Sequence, residues 1–176
     1  MSQNQEPETP EISSEAAGSG AWDELKYGFS GNPKTKLDER GRLKMPAEFK
    51  TFIERKYGKG FSAFYITSMD GGSAEIYPLP EWLERQNKVF AMPQSNPARK
   101  MLLTRYNLYG DRADMDPQGR MQIPEELRAK ADLSGEVKVA GEGNLLRVTS
   151  LKSLRESVEG SALTPEMLDS LSQYGL

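Results

Sequence analysis

One segment of this chain occurs twice, and that fact limits the folds open to it more than any other. Residues 36–50 run Lys-Leu-Asp-Glu-Arg-Gly-Arg-Leu-Lys-Met-Pro-Ala-Glu-Phe-Lys, and 78 positions later residues 114–128 run Asp-Met-Asp-Pro-Gln-Gly-Arg-Met-Gln-Ile-Pro-Glu-Glu-Leu-Arg. Asp38/Asp116, Gly41/Gly119, Arg42/Arg120, Pro46/Pro124 and Glu48/Glu126 are identical. Leu37/Met115, Leu43/Met121, Met45/Ile123 and Phe49/Leu127 stay apolar, and Lys50/Arg128 stays basic. Two copies in 176 residues leave each half at the size where an isolated core is marginal. The two copies are therefore expected to pair into one pseudo-twofold β core.

Within each copy the period of the pattern changes. Thr35, Leu37, Leu43 and Met45 alternate with Lys34, Lys36, Arg42 and Lys44, as strands with one buried face do. Between the two runs lies a turn, for which Gly41 supplies tolerance of positive φ and Asp38 an acceptor for backbone N–H groups. Pro46 then opens a helix with the face Phe49, Phe52, Ile53 and Tyr57, stopped by Gly58 and Gly60. The second copy repeats this with Pro124 and a shorter helix through Leu127 and Ala131. Asp70-Gly71-Gly72 and Gly141-Glu142-Gly143 each mark a hairpin, followed by helices starting near Pro80 and Leu151. Asn96-Pro97 and Thr164-Pro165 open two further helices. Trp82 and Leu83 are expected in the core. The expected class is α+β. The expected division is a disordered acidic tail over 1–26, a first repeat over 27–95, a connecting helix over 96–110, a second repeat over 111–158, and a C-terminal tail with a short helix over 159–176.

The net charge of −3 conceals a basic body. Residues 1–26 hold Glu6, Glu8, Glu11, Glu15, Asp23 and Glu24 against Lys26 alone, whereas residues 27–158 hold 22 Lys and Arg against 17 Asp and Glu. Such an excess fits a polyanionic partner. Cysteine and histidine are both absent, which excludes disulfides, thiolate metal sites and the commonest general base. Neither a signal sequence nor a spanning segment is visible, so a soluble intracellular protein is expected. Asp111, Asp114 and Asp116 are the one carboxylate group suggestive of a Mg²⁺ nuclease; with no histidine beside it, that reading ranks low, and no metal, cofactor, catalytic residue or small-molecule substrate is expected.

The doubled Asp-x-x-Gly-Arg turn, its apolar alternation and the Pro-led helix resemble the AbrB-like swapped-hairpin DNA-binding fold. Two copies in one chain, with Ile76-Tyr77-Pro78-Leu79-Pro80-Glu81-Trp82, Asn96-Pro97 with Arg99, and Glu136-Val137 leading to Ala140-Gly141, narrow the resemblance to the MraZ family of bacterial transcriptional regulators. The likeness covers about residues 27–158. It implies two pseudo-symmetric repeats and a ring-like homo-oligomer on tandem promoter repeats of double-stranded DNA, upstream of the division and cell-wall gene cluster and usually repressing it. That implies a cytoplasmic, nucleoid-associated protein with no membrane partner. It also implies that the turns holding Asp38 with Arg42 and Asp116 with Arg120 contact DNA. This chain departs from the family in two places. The second turn has Pro117-Gln118 where the first has Glu39-Arg40, and the last strand reads Leu146-Arg147-Val148-Thr149 without an aromatic end.

Arg42 has an ordinary alternative role, pairing with Asp38 to pin the turn. Its neighbours favour DNA, because a cluster of cations on one face is repulsive until it meets an anion. The expected DNA contacts are Arg42, Arg40, Lys36, Lys34, Lys44 and Arg120, with Asp38, Gly41, Asp116 and Gly119 shaping the turns. Arginine suits bidentate reading of guanine and lysine suits phosphate. Rival readings are an oligomeric interaction scaffold without specific DNA binding and an antitoxin-type relative. The acidic tail would compete with phosphate for the basic body. Removal of residues 1–26 should therefore tighten DNA binding in a salt-titrated anisotropy assay, and equal or weaker binding would refute that competition.

Overall fold

A computed structural model describes residues 28–176, and the chain is α+β. Each repeat lays down the same elements in the same order. The first gives β1 (Lys34–Lys36), β2 (Arg42–Lys44), α1 (Ala47–Tyr57), β3 (Ala63–Thr67), β4 (Ala74–Pro78) and α2 (Leu79–Phe90). After α3 (Pro97–Tyr109), the second gives β5 (Asp111–Asp114), β6 (Arg120–Gln122), α4 (Glu125–Lys130), β7 (Glu136–Glu142), β8 (Leu145–Ser150) and α5 (Leu151–Glu159), and α6 (Pro165–Ser172) follows. The helix starts are those their capping residues call for. The Asn96 side chain accepts from the Ala98 N–H and the Thr164 hydroxyl from the Met167 N–H. The expected tail of residues 1–26 lies outside the described residues.

The strands do not pair within their own repeat throughout. The larger sheet has the order β1-β7-β8-β4-β3-β5, so β1 of the first repeat lies on β7 of the second while β5 of the second lies on β3 of the first. A separate two-stranded ribbon joins β2 to β6. Across the first turn only a single bridge, Leu37 to Leu43, remains of the simple hairpin that the sequence suggests. The reason is the turn itself. It sends the chain from one sheet into the other, and the unused edge of β1 is satisfied by the facing repeat.

These registers define one pseudo-twofold axis. In the ribbon, Arg42 faces Gln122, Leu43 faces Met121 and Lys44 faces Arg120. Because Leu43 and Met121 are equivalent in the two copies, the axis passes between them. At the sheet centre Ala74 faces Val148, Glu75 faces Arg147 and Ile76 faces Leu146. The next helices begin four residues on from this middle pair, at Leu79 and Leu151, so the axis passes here too.

Between ribbon and sheet lies the main core, built from both halves: Leu43, Met45, Phe49, Ile53, Phe64, Ile66 and Ile76 with Met121, Ile123, Leu127, Val137, Val139, Leu146 and Val148. A second cluster covers one half of the opposite sheet face, where Tyr65 stacks on Trp82 at 4.1 Å between centroids and Tyr106 meets Trp82 edge-on at 5.0 Å. Trp82 is buried as expected, but Leu83 is 47% exposed, one residue off the helix stripe that Trp82 and Val89 define. Leu43→Ala should cost about 2–5 kcal/mol of unfolding free energy, because it opens a cavity at the axis between the repeats. Chemical denaturation checks this, and a single cooperative transition is expected since both halves share the cavity.

Candidate nucleic-acid interface

The two Asp-x-x-Gly-Arg turns are built alike. In the first, the Asp38 N–H donates to the Arg42 carbonyl at 3.0 Å and the Gly41 N–H to the Asp38 carbonyl at 2.9 Å. Asp38 Oδ1 accepts the Arg40 and Arg42 N–H groups at 3.0 and 2.9 Å. Its Oδ2 accepts Arg42 Nε at 2.8 Å and lies 2.7 Å from Nη2. In the second turn, Asp116 accepts the Arg120 N–H at 2.9 Å and Nε at 3.0 Å. The backbone N–H of Arg42, then its guanidinium, hold the Asp38 carboxyl below its usual range. The Arg120 N–H is the first cause of the same lowering at Asp116. Each aspartate thus fixes both the turn and its arginine, which is the ordinary role weighed for Arg42, and it leaves the arginine oriented for a further partner.

The glycines are demanded by geometry. Gly41 and Gly119 have φ of 76° and 74°, a region that side chains bearing a Cβ rarely enter. At Gly41 a Cβ would also run into the Arg128 guanidinium, which lies across the turn while its Nε donates to the Ile123 carbonyl at 3.1 Å. At Gly119 the neighbours are Lys50 Cδ at 3.6 Å and Lys44 Nζ at 3.7 Å. Lys50 and Arg128 are equivalent in the two copies, so each repeat lays a basic side chain from its helix over the other repeat's turn. The retained basic character at 50 and 128 was the signal that could have located both.

The turns also interlock through the ribbon. The Met45 N–H donates to the Gly119 carbonyl at 2.7 Å and the Ile123 N–H to the Gly41 carbonyl at 3.2 Å. The Lys44 ammonium donates to the Gln118 carbonyl, and Gln122 Nε2, its equivalent, donates to the Arg40 carbonyl at 3.0 Å. On the solvent side of the ribbon stand Arg42, Lys44, Arg120 and Gln122, with Leu43 and Met121 buried beneath. Arg42 and Arg120 are diagonal neighbours here, a separation of roughly 7–8 Å in an antiparallel pair. The structure thus brings the arginines of both repeats onto one face.

The other expected residues are placed differently. Lys34 and Lys36 are exposed on β1 in the larger sheet, opposite Lys138 and Glu136, so they flank the ribbon without belonging to it. Arg40 is exposed at the tip of the first turn. Its equivalent, Gln118, instead accepts Arg120 Nη2 at 3.0 Å, so the second arginine is tied on a further side. Among the described residues no group of three or more acidic side chains could hold a metal ion; Asp116 is engaged by Arg120 and Asp111 by the Arg112 N–H. No helix among them is long and apolar enough to cross a membrane.

Asp38 and Asp116 set a pH dependence. Their carboxyl groups titrate lower in the folded chain than in the unfolded one, so the stability they contribute is complete above the unfolded value of about 3.9 and is lost as pH falls through the folded values. Acid titration of melting temperature should show this loss, and Asp38→Asn should flatten part of it. Gly41→Ala should cost about 1–3 kcal/mol from backbone strain alone, read by denaturant midpoint.

No family model matches the chain. Curated relatives do. A transcriptional regulator MraZ of Acidobacterium capsulatum is 43% identical over 148 residues, 84% of this chain and 99% of its own length. That of Koribacter versatilis is 41% identical over 148 residues with the same coverage, and that of Chlorobium phaeovibrioides is 31% identical over 144 residues, 77% of this chain and 92% of its own. With the doubled turn and its two aspartate-held arginines, this likeness over most of both chains shows that the protein belongs to the MraZ family.

Proposed function

We propose that the chain is a DNA-binding transcriptional regulator, not an enzyme, that presents the β2–β6 ribbon to the major groove. The observation that carries this is the ribbon face, where two aspartate-oriented arginines from separate repeats stand together above a fully buried apolar face. A two-stranded ribbon fits the major groove, and an oriented guanidinium can meet the O6 and N7 acceptors of guanine. Arg42 is the principal base contact, with Arg40 beside it and Lys44, Lys36 and Lys34 serving phosphates. Lys50 and Arg128 add positive charge behind the turns. Arg120 is auxiliary, since Gln118 holds it where the first turn has a second cation.

The finer reading is repression of the division and cell-wall gene cluster through tandem promoter repeats, by a homo-oligomer in the nucleoid-associated cytoplasm. Repeated modules gain affinity when their spacing matches tandem sites. Leu83, Phe90, Met101 and Leu108 on α2 and α3, and Met167 and Leu168 on α6, are large apolar side chains exposed in the single chain, which supports self-association through the helices. The proposed domain division follows the repeat elements, with α3 as the connector.

Fluorescence anisotropy on the chain's own upstream promoter DNA against a scrambled duplex, over several salt concentrations, tests the reading. Arg42→Ala should reduce specific affinity by about 1–3 kcal/mol while leaving assembly unchanged, and Arg120→Ala should reduce it less. Equal, weak binding to both duplexes in the native chain would favour an oligomeric scaffold without sequence-specific binding.

A further inference from the structure

On a twofold axis each residue meets its own counterpart. The strand registers give two such meetings here, Leu43 with Met121 in the ribbon and Glu75 with Arg147 in the larger sheet. The first is apolar on both sides, so it would be equally content if two copies of the chain paired their first repeats, Leu43 against Leu43. The second is not. Glu75 is 2% exposed, its Oε1 lies 3.1 Å from Arg147 Nη1, and its Oε2 accepts the Tyr77 hydroxyl at 2.8 Å. Arg147 is held in turn by Glu142, through Nε at 2.8 Å and Nη2 at 2.9 Å, and by the Ser73 hydroxyl at 3.0 Å.

We propose that the Glu75–Arg147 pair decides which repeat pairs with which, admitting the first repeat with the second and excluding the first repeat with the first repeat of another copy. The need for such a device follows from the chain itself. The two copies share the residues that shape the turns and keep the core positions apolar, and in the ribbon first-with-first pairing would only set Arg42 opposite Lys44, a repulsion that solvent screens on that exposed face. First-with-first pairing would set Glu75 against Glu75 in a buried site where each loses the direct ion pair with Arg147 and keeps only its own Arg85, which lies beyond Tyr77 with its guanidinium 5.5 Å from that ring's centroid. A buried charge deprived of its partner is far costlier than an imperfect apolar contact. The exclusion is one-sided: Arg147 keeps its own Glu142 in any pairing, so the selectivity resides in Glu75.

The native chain has no cysteine, which allows a covalent test. In the fold, Lys36 on β1 faces Glu136, and three strands separate β1 from β3, where Ala63 faces Asp114. Ala63 is the first-repeat equivalent of Glu136. Only first-with-first pairing between copies would therefore put Lys36 opposite Ala63. A chain carrying Lys36→Cys with Ala63→Cys is refolded at high concentration and oxidised, and covalent dimers linked 36 to 63 are measured by peptide mass. A chain carrying Lys36→Cys with Glu136→Cys reports native pairing by closing within itself, since directly opposed cross-strand positions lie within disulfide reach.

With Glu75 intact, the 36–63 link should be scarce. With Glu75→Gln it should rise about tenfold or more, and Glu75→Asp, which keeps the charge, should hold it low. Joint replacement, Glu75→Leu with Arg147→Leu, leaves no lone charge and should be as permissive as Glu75→Gln, so it answers the question if the latter fails to refold. Links as scarce after charge removal as before, in chains whose 36–136 control closes, would overturn the proposal. Links equally abundant with Glu75 intact would overturn it as well.

Discussion

The exchange of first strands between the repeats governs the rest of the molecule. β1 and β5 both leave their own turns to complete a ladder on the opposite half, so neither repeat can satisfy its backbone alone. The shape of each turn consequently depends on the other. Gly119 offers its carbonyl to Met45, Gly41 offers its carbonyl to Ile123, and the helix of each half lays a basic side chain over the glycine of the other. The candidate DNA surface is for this reason a property of the assembled pair of repeats, although each turn looks local in sequence.

Within that frame, the arginines stand where their charge is half balanced. Asp38 and Asp116 neutralise Arg42 and Arg120 while fixing their planes, an arrangement suited to the rigid fork of guanidinium and unsuited to lysine. At the tip Arg40 has Glu39 beside it, so the uncompensated charge on the ribbon comes chiefly from Lys44, whose counterpart across the axis is the neutral Gln122. The ribbon is therefore nearly symmetric in its backbone and unequal in its field.

Much of this was legible in the sequence. The alternation of Leu37, Leu43 and Met45 with Lys36, Arg42 and Lys44 gave the correct faces, and the Pro, Asn96 and Thr164 signals gave the helix starts. The hairpin partners β3 with β4 and β7 with β8 were legible from their glycine turns, but the partners of β1 and β5 were not. A period of two says which side of a strand is buried and nothing about which neighbour it lies beside, so the exchange of β1 onto β7 could not be read from it. Arg128 over Gly41 was hidden for the same reason, being a contact between distant segments. Leu83 was misplaced by one helix position, an error of about 100° around the axis that turns a core residue into a surface one. Arg147 became intelligible only opposite Glu75.

Carrying both repeats on one polypeptide has a genetic consequence. In a dimer of identical subunits, any codon change strikes both sides of the axis at once, and a harmful effect is doubled along with a useful one. Here the two sides vary separately. Tyr65 and Tyr77 under α2 and α3 answer to Lys138 and Thr149 on the other half, Lys44 to Gln122, and Arg40 to Gln118. A fused pair of this kind can retain one half as a fixed template while the other drifts, so a nearly symmetric frame can acquire a direction along its long axis by single steps.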